Sequence, residues 1–269
     1  MPDHPNGTDS LSPPSHPVER RLNRLTLIEW LVVASIIAVL ISLQMPGVQS
    51  SGNGGVAREA CQSKLKEIAF ALYQYHRVYG SFPPAFVADE QGRPMHSWRV
   101  LILPYLDGGA HQKIYNQYRF DEPWDGPHNK LLADTPIPAF NCPLDHRRDS
   151  KEPDTRTSYL AVVGMNTAWR GTIPVKLKDI TDGAADTLHV VEAHNSGIKW
   201  AEPRDLTLAE MAVTINAQSP IGISSRHKHT AHAAFSDSAV RSLSEFLPAP
   251  TLRALLTRNG GEKLADGDW

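Results

Sequence analysis

Cysteine is almost missing from this chain: Cys61 and Cys142 are the only two among 269 residues. Two thiols so far apart exclude a disulfide scaffold, and with no second cysteine near either one they exclude a zinc knuckle; at most they form one bridge. An excess of charge of either sign is missing too, with 27 Lys and Arg against 29 Asp and Glu. The formal net charge is -2, which leaves no field to recruit nucleic acid. There is no Gly-x-Ser-x-Gly elbow, no phosphate-cradling glycine loop ending in Lys-Ser/Thr and no His-Glu-x-x-His helix. No recognised catalytic motif remains, so the chain reads as a non-enzyme. Lysine and arginine are absent between Leu25 and Ala57, and that gap coincides with the one long apolar run.

The run is LTLIEWLVVASIIAVLISL, Leu25 to Leu43, with Glu29 as its only charge. At helical rise it spans about 28 Å, close to the hydrocarbon thickness of a bilayer. Strands rarely exceed about ten residues, so a transmembrane helix is expected over 25–43. Arg20, Arg21 and Arg24 precede it. That bias places the N-terminus in the cytoplasm and the bulk of the chain outside, as for a single-pass protein of the inner membrane. Residues 1–24, polar and rich in Pro, Ser and His, have too little apolar surface to offset ordering and read as a disordered cytoplasmic leader. A cleaved secretory signal fits less well, because the run is long, ends in Gln44-Met45-Pro46 and carries a carboxylate near its start.

Leu25-Thr26-Leu27-Ile28-Glu29 resembles the prepilin N-terminal motif of type IV pilin-like proteins. The resemblance implies cleavage before Leu25 by a prepilin peptidase, methylation of the new amine, and pairing of Glu29 with the N-terminal amine of a neighbouring pilin-like subunit. Such pairing would explain a carboxylate inside an apolar segment; a shallow position at the interface is the alternative. The chain departs from the motif at one place, with Arg24 where the class has glycine, so processing between Arg24 and Leu25 is expected to be absent or inefficient.

Pro46 and the Ser/Gly run up to Gly55 predict a hinge over 44–55. Beyond it, Cys61, Leu65, Ile68, Ala69, Leu72 and His76 recur at spacings of three and four, one face of an amphipathic helix. Gly80 and Pro83-Pro84 stop it. Most of the prolines and glycines follow, which predicts a loop-rich domain. Two short helices are expected between Trp98 and Tyr118, a polar turn from Phe120 to Asn129, and a helix over His128 to Ala133. The trio Asp121, Glu122 and Asp125 offers oxygens for calcium or serves as ordinary turn and capping groups. Ser158 to Val163 and Thr187 to Glu192 read as strands.

Together LTLIEW, CQSKLKEIAFALYQYH, YGSFPP, SWRVLILPYL, FDEPWDGPHN, TSYLAVVG, DITDGAADTLHVVE and WAEPRDL resemble a bacterial family of unassigned function. That family was once labelled solute-binding and is known by a closing His-x9-Asp-Gly signature. It implies a pilin-like N-terminus and an exported domain, with no established reaction. His227 and Asp237 align with the signature, and Ser238 replaces its glycine. Around them His227, His229 and His232, with Glu192 and His194 upstream, have donor types that suit zinc. The period of two over Ala231 to Phe235 and again from Val240 reads equally as a β-hairpin, one that a type I′ turn would suit if glycine were present.

The expected fold is α+β, a helix packed on a mainly antiparallel sheet, pilin-like with loop-rich insertions. Residues 56–250 form the extracytoplasmic domain and 251–269 a C-terminal tail. Export would put Cys61 and Cys142 in an oxidising compartment, so a disulfide between them is expected. The expected function is a membrane-anchored, pilin-like or pseudopilin-like envelope protein, structural or for assembly, as in type II secretion-like systems. The alternative is a membrane-tethered, metal-dependent hydrolase or ligand binder using His227, His229 and His232. No cofactor is expected, with zinc or calcium left open.

Overall fold

The computed structural model describes residues 28, 30–32, 34–37, 53–145, 154–217 and 222–264. The chain divides into two units, residues 1–50 and 51–269. In the first, the described residues from Ile28 to Ile37 are helical, and Ile28, Trp30, Leu31, Val32, Ile36 and Ile37 are exposed. The rest of the Leu25 to Leu43 run, with Arg24, Leu25 and Glu29, lies outside the described residues. Among the described residues no helix is long and apolar enough to cross a membrane.

The second unit opens with α1 (Asn53–Tyr79). Its buried face is Cys61, Leu65, Ile68, Ala69 and Leu72, with Ala71 beside them. Residues 53–55 belong to the helix rather than to the hinge expected over 44–55. Once a helix is nucleated each further residue adds a hydrogen bond, and this offsets the cost of about 1 kcal/mol per glycine. Gly80 ends it at φ 74, with its N–H on the His76 carbonyl at 2.8 Å, the left-handed cap that glycine adopts without a Cβ penalty.

An antiparallel pair, β1 (Phe86–Ala88) and β2 (Pro94–Ser97), leads to α2 (Trp98–Leu101), a 3-10 segment Leu103–Gly109, and α3 (Gln112–Gln117). Three helical pieces therefore stand where two were expected. Leu106, Asp107 and Gly108 leave helical geometry, the last two at positive φ, and so break the segment. In α4 (Asn129–Ala133) the first turn is capped by Glu122, whose Oε1 accepts from the N–H groups of His128 at 2.9 Å and Asn129 at 2.6 Å. Glu122 thus serves as a turn and capping group.

The main sheet has the order β3-β5-β7-β8, all antiparallel, from β3 (Tyr159–Leu160), β5 (Leu188–Glu192), β7 (Thr230–Phe235) and β8 (Val240–Ser244). A small parallel pair, β4 (Val162–Val163) with β6 (Leu206–Thr207), flanks it. The fold is α+β with mainly antiparallel pairing. On one face α1 joins Trp98, Phe140, Trp169 and Trp200 in one core. The other face carries Leu160, Val191, Phe235 and Leu243 against α5 (Ala249–Leu256). That helix corrects the expected tail over 251–269: Leu252, Leu255 and Leu256 are buried. Their spacing of three and four makes an apolar stripe that gains more from covering the sheet than from water.

Between Leu188 and Val190 the register of β5 against β7 shifts. Such a bulge lets neighbouring residues face the same side, and His189 lies with Phe82 and Trp169 in the α1 core. Its Nδ1 meets Ser236 Oγ at 3.1 Å, while its Nε2 is buried with no partner. Burial, helped by His76, pushes its pKa from 6.5 down to about 3. The unfolded chain then binds more protons than the folded one below about pH 6.5, so this contribution is full above that pH and is lost as pH falls toward 3. Between pH 6.5 and 5, His189 alone should remove on the order of 2 kcal/mol of stability. Urea denaturation at the two pH values, with His189→Leu as the comparison, should show a smaller pH effect in the variant. An equal loss in both would assign the acid sensitivity elsewhere.

Candidate functional site

The hairpin β7-β8 organises the signature residues. Its loop is Ser236-Asp237-Ser238: the Ser238 N–H bonds to the Phe235 carbonyl at 2.9 Å, the Phe235 N–H bonds to the Ala239 carbonyl at 2.9 Å, and Ser238 sits at φ 70. This is a type I turn followed by a left-handed residue, the three-residue hairpin with a bulge, and not a type I′ turn. Asp237 holds the loop through the Ala239 N–H at 2.8 Å and Arg241 Nη2 at 3.2 Å. The turn demands left-handed backbone at this position, and serine meets it under strain. Ser238→Gly should therefore stabilise the domain by roughly 0.5–1 kcal/mol in urea denaturation. A destabilised variant would show that the serine hydroxyl matters more than its backbone.

His227 lies ahead of β7 and Asp237 behind it, so the two signature residues bracket the strand at opposite ends. The histidines also part company. His229, at φ 58, turns outward to bond Glu245 Oε1 and stack on Phe246 at 5.9 Å between centroids. His227 and His232 stay together at 4.7 Å between rings. The expected trio of His227, His229 and His232 is therefore not assembled, because left-handed backbone at His229 points its ring out of the core. His194 leaves the set as well, bonding Asp145 Oδ1 through Nδ1.

What the fold does assemble is different. Cys61 on α1 is bonded to Cys142 with the Cα atoms 5.1 Å apart, a spacing normal for a disulfide. Cys142 follows a 3-10 turn, Pro138–Phe140, and its N–H bonds to Ser158 Oγ at 3.1 Å. Against the sulfurs stand Glu192, the last residue of β5, and His227. Glu192 Oε1 is 3.6 Å from His227 Nε2, which is itself 3.9 Å from Cys142 Sγ. All four residues are buried.

A carboxylate so enclosed is costly unless held. The β5-β7 register ends at Val191 and Ala233, and just beyond it the His232 N–H donates to Glu192 Oε2 at 2.7 Å. The other oxygen, Oε1, has no hydrogen bond. Burial lowers the pKa of His232, opposed by Glu192 and aided by His227 and Arg58. Its Nδ1 is 2.9 Å from Ser242 Oγ and 3.5 Å from Gln62 Nε2. Tyr159 donates its hydroxyl to the Cys61 carbonyl at 3.1 Å, and burial, with Glu192 next, holds its pKa well above the usual phenol value.

A small cavity of about 10 Å³ lies beside Cys142, with Glu192 and Ser158 in its wall and Asp145, His194 and Arg226 around it. That is far below the roughly 300–1,000 Å³ of pockets that enclose drug-sized ligands; it has room for about one water molecule or ion. Asp145 accepts from Ser158 Oγ at 2.8 Å and from the Asn195 N–H at 3.2 Å.

Residues 56–172 match the family described as a protein of unknown function, DUF1559. The matched part takes in α1, the disulfide and the β3 edge of the sheet, and stops short of Glu192 and His227. No curated protein matches the chain. No solved structure matches it either.

Asp145 and Ser158 were missed by sequence reading, and no local signal marks them, since an aspartate after a Cys-Pro turn and a serine before a strand are common. Glu192 did leave a trace: it is the one charge at the end of the apolar run LHVVE.

Proposed function

We propose that the protein is a membrane-anchored, pilin-like envelope protein with a structural or assembly role, held by the Leu25 to Leu43 segment with its domain outside the cytoplasm. The observation that carries this reading is the buried bridge between Cys61 and Cys142, because a disulfide persists in an oxidising compartment and is rare in a reducing one. The uncovered Ile28, Trp30, Leu31, Ile36 and Ile37 add support, being apolar side chains that lipid would cover. A helix with one face laid on an antiparallel sheet is the layering expected of pilin-like domains. In this proposal Glu29 pairs with the terminal amine of a neighbouring subunit if the leader is removed, and Arg24 opposes that removal.

Fusing a phosphatase that is active only after export to the C-terminus of the full chain should give an active reporter, with a cytoplasmic reporter silent. The opposite pattern overturns the topology. N-terminal sequencing of the membrane-extracted chain should find the leader largely retained, and Arg24→Gly should increase cleavage before Leu25. Complete cleavage of the unaltered chain with a methylated Leu25 would make it a processed subunit and remove the argument from Arg24.

A further inference from the structure

We propose that the dithiol form of this protein, the form in which the chain is synthesised, binds one zinc ion through Cys61 Sγ, Cys142 Sγ, Glu192 Oε1 and His227 Nε2, so that the disulfide and the metal are alternative occupants of one buried site. The four donor atoms all lie within 4.8 Å of one another. Bonds of about 2.0–2.3 Å to a tetrahedral zinc put neighbouring donors about 3.3–3.8 Å apart. The Glu192 to His227 separation of 3.6 Å lies at that spacing and the His227 to Cys142 separation of 3.9 Å lies just above it. The two sulfurs must part, which breaking their bond allows, and donors as far apart as 4.8 Å must close on the ion.

A second, independent observation points at the same place. Glu192 Oε1 is buried and without a hydrogen bond, although its twin oxygen is held by the His232 N–H. A buried carboxylate oxygen left open in this way costs free energy that a cation would recover. Fixing one oxygen also aims the other, as outer contacts do for metal ligands. Ser158 does the same for Cys142 by accepting its N–H at 3.1 Å. Two thiolates, an imidazole and a carboxylate form a donor set that suits zinc better than calcium or magnesium, which take oxygen ligands. The small cavity beside Cys142 and Glu192 brings two of the four ligand residues to its wall.

The chemistry balances simply. Zinc binding to the dithiol displaces one proton from each thiol and forms two zinc–sulfur bonds. Oxidation to the disulfide by a disulfide-donating partner transfers both electrons to that partner and returns the zinc to solution. The site can then hold the fold before export with metal and after export with a covalent bond.

The test is cobalt(II) titration of the full chain, reduced by a phosphine without oxygen, since cobalt takes zinc sites and reports thiolate ligation by charge-transfer absorption. Saturation at one cobalt per chain is expected, with thiolate bands that zinc displaces and no such bands in the oxidised protein. Glu192→Gln and His227→Ala should each weaken binding by about 10-fold or more, by analogy with losses seen when a metal's supporting groups are removed. The Cys61→Ser/Cys142→Ser double variant should lose the bands. A reduced chain that gives no thiolate bands, folded or unfolded, overturns the proposal. So does binding that Glu192→Gln and His227→Ala leave unchanged, which would show cobalt held by the thiols alone.

Discussion

Replacing Asp205 by alanine is expected to lower the free energy of unfolding by about 3–5 kcal/mol, the range found when one partner of a buried ion pair is removed. Arg99 on α2 is fully buried, and the side chain of Asp205 is 2% exposed. The carboxylate takes Arg99 Nη2, Trp98 Nε1 at 3.2 Å and the Ala161 N–H at 2.8 Å. The guanidinium also reaches the Tyr159 carbonyl at 3.2 Å and Ser97 Oγ at 2.8 Å. Burial works against both charges, raising the Asp205 carboxyl and lowering Arg99, while each steadies the other. Removing Asp205 therefore strands a cation at the junction of α2, β3 and the β6 approach. Arg99→Met with Asp205→Leu should cost less than Asp205→Ala alone, because apolar pairs of similar volume can replace buried ions. Urea denaturation followed by tryptophan fluorescence measures both. A loss below about 1 kcal/mol for Asp205→Ala would show that the junction does not depend on the pair.

Reducing the Cys61–Cys142 bond in the presence of a chelator is expected to cost about 4 kcal/mol, the chain-entropy value for a closed loop whose ends are 81 residues apart in sequence. The loop contains β1, β2 and α2 to α4, so the bond limits the unfolded chain over all of these elements. Cys61→Ser/Cys142→Ser should reproduce the loss with no reductant present, separating the bond itself from any side effect of reduction. Thermal or urea denaturation of oxidised, reduced and substituted protein checks it. Equal stability of all three would leave the bond with no measurable part in holding α1 to the body.

Much of the architecture was legible because periodicity reports which face a segment buries. The spacing of Cys61, Leu65, Ile68 and Leu72 marked α1, and all four are buried. The alternation around His232 marked β7 and β8, whose pairing from Thr230 to Ser244 is regular. Short and irregular pieces were harder. The break at Leu106 to Gly108 depends on the left-handed backbone of the exposed Asp107, and propensity alone does not predict a left-handed aspartate. In TLRALL the stripe was present, yet only a sheet face waiting to be covered makes it a docked helix rather than a tail.

The sequence by itself determined the local elements and their inward faces, the existence of one possible sulfur bridge, and the single long apolar run at Leu25 to Leu43. Each follows from the order of polar and apolar residues over a few turns or pleats, and a one-dimensional pattern carries that information. Tertiary structure alone decided which polar groups meet. Nothing in the spacing of Cys61, Cys142, Glu192 and His227 brings them within 4.8 Å; that proximity comes from α1 packing on the β7-β8 side of the sheet and from the loop that carries Cys142. Likewise the sequence placed His227, His229 and His232 side by side, and the fold turned His229 out to Glu245. Neighbours in sequence share backbone but not direction, and side-chain direction is set by φ and by what the opposite layer leaves room for.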